Sequence, residues 1–224
     1  MSGMSASEFW LEAHAQAKRR GLRHADDAAE EAFWIDHAPG YDQKSPLAEC
    51  AVDLIDDLRT LAHGHSHLLE IGAGPGAFTR RLASEVSRIT VIEPSAAMRA
   101  EFQALWDGAA IVETLPSKWE EAPHIGADIV FGANAFYRIV DIAPALLQMV
   151  DSARHRVALV QTVGRPHANP LSVTFNGETH EWERADALCG VLAEMSIEFR
   201  RRDYDVLRPD GPSRAALIDW ATRR

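Results

Sequence analysis

Cysteines and long apolar runs are scarce in this sequence of 224 residues. Its two cysteines, Cys50 and Cys189, lie far apart, which favours reduced thiols in a cytoplasmic protein over a disulfide framework. The sequence has no run of about 18 apolar residues, the length that a membrane-spanning helix needs. Its first 20 residues also lack a basic segment followed by an apolar one. We therefore expect neither a secretion signal nor a membrane partner.

An excess of basic residues is missing as well. Lys and Arg together number 23 against 33 Asp and Glu, which gives a formal net charge of −10 at pH 7. Because nucleic acids are bound by clustered basic side chains, this balance predicts no nucleic-acid partner. The chain does contain 46% hydrophobic and 25% charged residues, a composition that predicts a packed globular core. We expect a monomer or a homodimer.

Apolar strand-like segments alternate with helix-like segments between residues 67 and 163. The strand-like segments are HLLEIG, RITVIEP, AAIVETL, ADIVFGAN and RVALVQTV. Strands that are apolar on both faces and separated by helices indicate an α/β fold whose parallel sheet is covered on both sides.

The flanking segments carry further predictions. Residues 5–20 predict a helix capped by Ser5 or Ser7, and residues 47–61 predict one amphipathic helix. Toward the end of the chain, SIEFRRRDYDVL predicts a strand, LSVTF a strand or a loop over the pocket, and GPSRAALIDWATRR a short helix.

The turn after the first strand, in HLLEIGAGPGAF, holds Gly72, Gly74 and Gly76. Glycine lets a backbone turn sharply and approach a ligand, and ligands of open parallel sheets bind at the carboxyl ends of the strands. A tight turn alone would need one glycine, so three alternate glycines favour a ligand site. The segment also fits the G-x-G-x-x-G/A pattern of dinucleotide-binding proteins. Glu70, however, would repel a pyrophosphate and attract a cationic ligand.

LLEIGAGPGAFTRRLA resembles the first motif of the class I S-adenosylmethionine-dependent methyltransferases. VIEPSAAM is similar to their second-strand motif, ADIVFGANAFYRI to their fourth-strand motif, and IAPALLQMVDSARHRVALVQ to the following helix and strand. The resemblance covers about residues 47–163. It implies a Rossmann-like, doubly wound, mostly parallel sheet with helices on both faces, and S-adenosyl-L-methionine as the cofactor. Such sheets usually finish with an antiparallel hairpin, of which this sequence shows no convincing last strand.

The resemblance also implies roles for residues at the strand ends. Glu70 would hold the ammonium group of the cofactor, and Glu93 would accept hydrogen bonds from both ribose hydroxyls. The third strand lacks the Asp-containing turn that the family often has, so Glu113, Thr114 and Leu115 are candidates for the adenine side by position alone. The cofactor-binding residues expected in this way are Glu70, Gly72, Ala73, Gly74, Gly76, Glu93, Pro94, Met98, Thr114, Leu115 and Asn134.

The acceptor would lie beyond the end of the fourth strand, where the family places the transferred methyl group. Asn134 and Tyr137 echo the N-P-P-Y motif of methyltransferases that modify amino groups, but both prolines are missing. Phe136 and Tyr137 could equally line a pocket or cap a helix. Methyl transfer by in-line displacement needs mostly positioning, so the sequence designates no catalytic residue.

The N-terminal segment FWIDHAPGYD resembles the aromatic cover of family members that act on small molecules. Such a lid would exclude water and would bring His37 and Tyr41 to the substrate, although ordinary packing of these aromatics is an alternative. We expect residues 1–46 to form an N-terminal helical lid and residues 47–224 the methyltransferase domain. The acceptor expected from these features is a small molecule.

Three alternatives remain open at this point. The glycine pattern leaves an NAD(P)-dependent oxidoreductase as a competitor, and a non-catalytic cofactor-binding protein could keep the same fold. The segment HGHSH contains His63, His65 and His67, which could bind a metal because imidazole is a good zinc ligand. No cysteine or acidic cluster completes such a site in the sequence, so we expect no metal.

Overall fold

The computed structural model describes residues 3–45, 47–163 and 184–206. The helices of these residues are α1 (Ala6–Arg19), α2 (Asp27–His37), α3 (Tyr41–Lys44), α4 (Leu47–Cys50), α5 (Val52–Ala62), α6 (Ala77–Leu82), α7 (Ala96–Leu105), α8 (Ile142–Ser152) and α9 (Arg184–Glu194). The strands are β1 (His67–Ile71), β2 (Arg88–Ile92), β3 (Ile111–Leu115), β4 (Ala127–Ala133) and β5 (Ala153–Val160). Single 3₁₀ turns lie at Arg23–Ala25, Trp119–Glu121 and Phe136–Arg138.

The five strands form one sheet in the order β3-β2-β1-β4-β5, with every pair parallel. The strand order reverses between β1 and β4, which is the switch point where open α/β sheets bind ligands. Ile71 at the end of β1 pairs with Ile92 of β2 and with Gly132 of β4. The carboxyl ends of the strands therefore meet at one edge, which we call the strand-end edge. The expected α/β fold with a parallel, Rossmann-like sheet is confirmed.

Helices cover both faces of the sheet. On one face the buried cluster includes Leu69, Ile71, Val130, Trp10 and Leu146. On the other it includes Leu68, Ile89, Ile129, Leu58 and Phe102. All five residues of β1 are buried, because the strand is central and both of its faces are covered. The expectation of strands apolar and covered on both faces fails for the outer strand β3, where Ile111 is 74% exposed.

Local sequence signals explain how several helices begin. Ser5 caps α1 through a capping box, in which its side chain accepts from the Glu8 amide and Glu8 reaches back to the Ser5 amide. Ser95 caps α7 by accepting from the Met98 amide. The single helix expected over residues 47–61 is instead divided into α4 and α5 at Ala51, whose backbone (φ −90°, ψ 59°) is not helical.

Residues 197–206 of the predicted strand SIEFRRRDYDVL belong to none of the five strands in the part of the chain that the structure describes. Its polar side chains contact the covering helices: Arg201 binds Asp186 of α9, and Arg202 and Tyr204 bind Asp57 of α5. The segments LSVTF and GPSRAALIDWATRR lie outside the described residues. None of the helices in the described part of the chain combines the length and apolarity that a membrane span requires.

The first helix belongs to the core. Trp10 is fully buried, and its indole nitrogen donates to the carbonyl of Ile139 at 2.7 Å. The Glu194 carboxylate at the end of α9 accepts from the amide and the hydroxyl of Ser7, so α1 is fixed to α9. Residues 26–45 lie against the strand-end edge, and we call them the cover segment.

Candidate functional site

The turn after β1 has a left-handed backbone at each of its three glycines. The φ angles of Gly72, Gly74 and Gly76 are 64°, 57° and 84°. A Cβ added at Gly72 would lie 2.5 Å from the Cβ of Ala135, and one added at Gly76 would lie 2.6 Å from the ring of Phe102. The turn and its packing therefore account for these glycines: a turn of this shape needs glycine at all three positions and not, as expected, at one. A Cβ added at Gly74 would have the sulfur of Met98 as its nearest neighbour, at 3.9 Å, so there is room on that side of the backbone.

Glu70 lies at the fourth position of β1 and is only 1% exposed. Its carboxylate accepts a hydrogen bond from the Thr79 hydroxyl at 2.7 Å. Burial, and then the negative charge of Glu93, raise the pKa of Glu70 to about 7, while the Thr79 hydrogen bond opposes this shift. A cation bound nearby would favour the ionised carboxylate.

Glu93 follows β2 directly and lies beside the glycine turn. One carboxylate oxygen accepts from the Gly74 amide at 3.0 Å and the other from the Ser95 amide at 2.9 Å. Burial raises the pKa of this carboxyl, and the two backbone hydrogen bonds act in the opposite direction. A carboxylate has about four acceptor positions, so each oxygen of Glu93 retains capacity for one more donor.

The other residues expected at the cofactor differ in how far they are buried. Met98 is buried and its sulfur faces Gly74, while the Leu115 carbonyl accepts from the Glu93 amide at 3.1 Å. Thr114 is half-buried on β3, and Pro94 is exposed. Glu113 points away from this group, because it is exposed and forms an ion pair with Arg88 at 3.1 Å. The structure thus brings Gly74, Glu93, Met98 and Leu115 together.

Asn134 directly follows β4 and has a left-handed backbone, at φ 52°. Its side-chain oxygen accepts from the amide of Thr162 at 2.8 Å, from the Thr162 hydroxyl and from the Gln161 amide group. These donors follow β5, so Asn134 joins two strand ends and its oxygen is already engaged. Phe136 is fully buried against Gly132, within the core.

The half-buried Tyr137 and the buried Glu30 form a pair that the sequence did not indicate. The Tyr137 hydroxyl donates to one oxygen of Glu30 at 2.5 Å, and Glu30 is 1% exposed. Glu30 also accepts from the Trp34 indole at 2.9 Å and from Arg23. Burial and the negative charge of Glu30 raise the pKa of Tyr137, so the phenol stays protonated at neutral pH. Glu30 could not be recognised as a site residue from the sequence, because its local sequence shows only a spacing of four residues to Trp34.

The cover segment is fixed to the segments that follow each of the first four strands. Asp42 pairs with Arg80 on α6, whose guanidinium also donates to the carbonyl of Pro75 in the glycine turn. Glu31 accepts from the Ala97 amide at 3.1 Å at the start of α7. Its contacts to the later loops are Asp27 with Lys118, Asp27 with Arg138, and Glu30 with Tyr137. The segment therefore spans the strand-end edge.

His37 and Tyr41, both expected at the substrate, occupy different environments on the cover segment. His37 is exposed, stacks on Phe33 with the ring centroids 3.9 Å apart, and has Nδ1 2.7 Å from the Phe33 carbonyl oxygen. Tyr41 is half-buried beside Trp34, at 5.4 Å between the ring centroids. No contact of His37 in the described part of the chain directs it to the strand-end edge.

Each of the three histidines of HGHSH contacts a different residue. His63 lies 3.1 Å from a carboxylate oxygen of Glu85, the ring of His65 lies 4.7 Å from that of His155, and His67 lies 2.9 Å from the Thr90 hydroxyl. Over residues 3–45, 47–163 and 184–206, no group of three or more His, Cys, Asp or Glu side chains has an arrangement suited to a metal ion.

Comparison with known proteins gives one curated relative and many structural neighbours. No family model matches the chain. The chain is 36% identical over 151 residues to the probable ribosomal RNA small subunit methyltransferase A of Haloarcula marismortui, covering 62% of this chain and 49% of the relative. The chain thus spans about half the length of the curated relative it matches.

Two solved structures support the fold. An S-adenosyl-L-methionine-dependent methyltransferase of Methanococcus maripaludis aligns with a TM-score of 0.55 and 18% identity, over 74% of this chain and 85% of that one. The phosphoethanolamine N-methyltransferase 1 of Haemonchus contortus, in complex with phosphoethanolamine and S-adenosylhomocysteine, aligns with a TM-score of 0.50 and 17% identity, over 66% of this chain and 34% of that one. The chain has the class I methyltransferase fold.

The prediction that the protein has no nucleic-acid partner was wrong, because it excluded an acceptor class that the comparison leaves possible. The curated relative is named as a ribosomal RNA methyltransferase, so net charge does not decide the acceptor class for this kind of chain. The physical reason is that a net charge of −10 is a sum over the whole surface, whereas nucleic acid contacts only a local patch.

Proposed function

We propose that this protein transfers a methyl group from S-adenosyl-L-methionine to an acceptor bound at the strand-end edge. The observation that carries the proposal is the Glu93 carboxylate, which is held against the Gly74 amide at the end of β2 and keeps acceptor capacity on both oxygens. This arrangement suits a ribose, whose two neighbouring hydroxyls donate to one carboxylate. The fold and the enzyme class of the neighbours agree with it.

The other cofactor contacts follow from the same edge. The buried Glu70 would compensate the cofactor's ammonium group, since its raised pKa leaves it ready to ionise beside a cation. The open backbone at Gly74 would lie along the methionine part, and Met98 and Leu115 would pack at the adenine side. The bound cofactor supplies an electrophilic methyl group on its sulfonium, so the chain's residues need mainly to position the acceptor and exclude water.

We place the lid function in the cover segment, within the N-terminal residues 1–46. Its contacts with the segments that follow four of the strands support a role in closing the site. An acceptor beneath it has to present a small group, either as a free small molecule or as a single base flipped out of an RNA. We propose this limit on size rather than one acceptor class.

The cofactor assignment is tested by calorimetry with S-adenosylhomocysteine, with NADH as the competing ligand. Binding of the first and not of the second is expected; the reverse result would favour an oxidoreductase. Glu93→Ala should weaken S-adenosylhomocysteine binding by about 1.5–3 kcal/mol, the range for hydrogen bonds to a charged group. Glu113→Ala is the control, because Glu113 lies on the neighbouring strand but is exposed and paired with Arg88. Equal affinities of the two variants would refute the ribose role.

The acceptor is tested with the methyl-labelled cofactor, offered separately with small-subunit ribosomal RNA and with a fraction of small metabolites. Label in the RNA would identify a base as the acceptor, and label in the metabolite fraction a small molecule. A protein that binds the cofactor and labels neither fraction would behave as the non-catalytic alternative.

A further inference from the structure

Glu30 is a buried acid in a position that is costly to maintain. An ionised carboxylate loses several kcal/mol of solvation on burial unless hydrogen-bond donors replace the water. Glu30 has three such donors, the Tyr137 hydroxyl at 2.5 Å, the Trp34 indole at 2.9 Å and the Arg23 guanidinium. Arg23 in turn stacks on the Phe33 ring, 3.6 Å from its centroid. The cover segment therefore places a negatively charged carboxylate next to the Tyr137 hydroxyl.

Tyr137 belongs to the strand-end edge. It lies on the 3₁₀ turn that follows β4, next to Ala135, which contacts the Gly72 turn. Burial raises the pKa of Tyr137 most, and the negative charges of Glu30 and, to a smaller extent, Glu93 raise it further. The His24 ring lies 6.3 Å from the Tyr137 ring, and the Arg184 guanidinium lies 5.8 Å from it. The phenol is thus placed between the cover segment and the proposed cofactor site.

We propose that Glu30 is a positioning residue that holds the Tyr137 hydroxyl as a hydrogen-bond acceptor for the methyl-accepting group. This inference rests on the proposed function and narrows its substrate class. The attacking atom of the acceptor carries a polar hydrogen, as in an amine, a hydroxyl or the exocyclic amino group of a base.

The chemical reason is the single proton of a phenol. A free tyrosine hydroxyl can donate or accept, but the Tyr137 proton is given to Glu30. The oxygen then offers only lone pairs to the acceptor side. An N–H or O–H group can donate to those lone pairs and is thereby oriented with its own lone pair toward the methyl group. A thioether or a tertiary amine cannot make this contact, so such acceptors are disfavoured.

Sinefungin tests this geometry without knowledge of the acceptor, because it is a cofactor analogue that carries an amine where the transferred methyl group would lie. Its affinity is measured against that of S-adenosylhomocysteine, which lacks the amine, by calorimetry on the full chain. Tyr137→Phe should lower the sinefungin affinity by about tenfold relative to S-adenosylhomocysteine, since one hydrogen bond to a charged group is lost. Glu30→Gln should lower the same ratio by about threefold or more, because it removes the negative charge behind the phenol.

Tyr204 and Asp57 provide a matched control pair. The Tyr204 hydroxyl donates to Asp57 at 2.5 Å in the same way. Asp57 lies on α5, outside the strand-end edge. Tyr204→Phe and Asp57→Asn should leave the affinity ratio unchanged. An unchanged ratio in Tyr137→Phe or Glu30→Gln, or an equal loss of both ligands, overturns the inference while the proposed function stands. If the wild-type protein binds neither ligand, the proposed function itself fails.

Discussion

At the scale of single residues, backbone conformation and close packing make different demands on the same residue type. Gly64 and Gly72 both have left-handed backbones, with φ of 80° and 64°. An added Cβ would meet no atom within 4 Å at Gly64, whereas at Gly72 it would lie 2.5 Å from the Cβ of Ala135. Comparing the two positions therefore distinguishes the cost of a left-handed backbone from the cost of crowding between the β1 turn and the loop after β4.

Gly64→Ala and Gly72→Ala should therefore differ in stability. Each substitution places a side chain in a left-handed backbone, at a cost of about 1 kcal/mol. Gly72→Ala should lose about 1–3 kcal/mol more, because the added methyl group overpacks the strand-end edge. Urea unfolding measures both free energies, with Gly64→Ala as the control. Equal losses would mean that the β4 loop moves aside without cost.

At the scale of elements, the cover segment depends on how α2 begins. The Asp26 side chain caps α2 by accepting from the Ala29 amide at 2.8 Å. The helix then carries Glu30, which accepts from Tyr137 and from Trp34 one turn later, and Glu31, which accepts from the Ala97 amide in the first turn of α7. Because the proposed acceptor contact passes through this helix, its N-terminal cap supports the site without touching it.

Asp26→Ala should weaken α2 by about 1 kcal/mol, the usual loss for an N-cap acid. Asp36→Ala is the control, since Asp36 is exposed in the last turn of the same helix, where an acid opposes the helix dipole. That substitution should be neutral or slightly stabilising. Hydrogen exchange of the α2 amides distinguishes the two. Similar protection in both variants would show that tertiary contacts, and not the cap, hold the helix.

At the scale of the whole molecule, the buried acids couple folding to pH. Glu70 has a pKa raised from 4.5 to about 7 in the folded protein, so folding takes up a proton in that interval. The stabilisation is complete below pH 4.5 and is lost as pH rises through about 7. His14 acts in the opposite direction, because burial lowers its pKa to about 4 and its contribution is lost as pH falls.

The comparison of wild type with Glu70→Gln isolates the Glu70 effect from that of His14. At about 1.4 kcal/mol for each pKa unit, the wild type should lose on the order of 3 kcal/mol relative to Glu70→Gln between pH 4.5 and 8. The free energy of unfolding, measured with urea across this range, tests the prediction. Parallel pH profiles for the two proteins would show that Glu70 is ionised at no extra cost.

The sequence by itself determined the α/β class, the parallel strands and the positions of the glycine turn and of Glu93. These features depend on local apolar periodicity and on residues next to strand ends, which are visible along the chain. It also determined the Ser95 cap, and it limited the α1 cap to Ser5 or Ser7.

Only the tertiary structure decided which side chains meet at the strand-end edge. Glu30 contacts Tyr137, which is 107 positions away along the chain, and α1 is fixed by Glu194 of α9. In the folded protein the Asn134 oxygen accepts from Thr162, Phe136 is buried, and His37 is exposed to solvent. Such contacts depend on the order of the strands and on the path of the cover segment across them, and no local pattern encodes either.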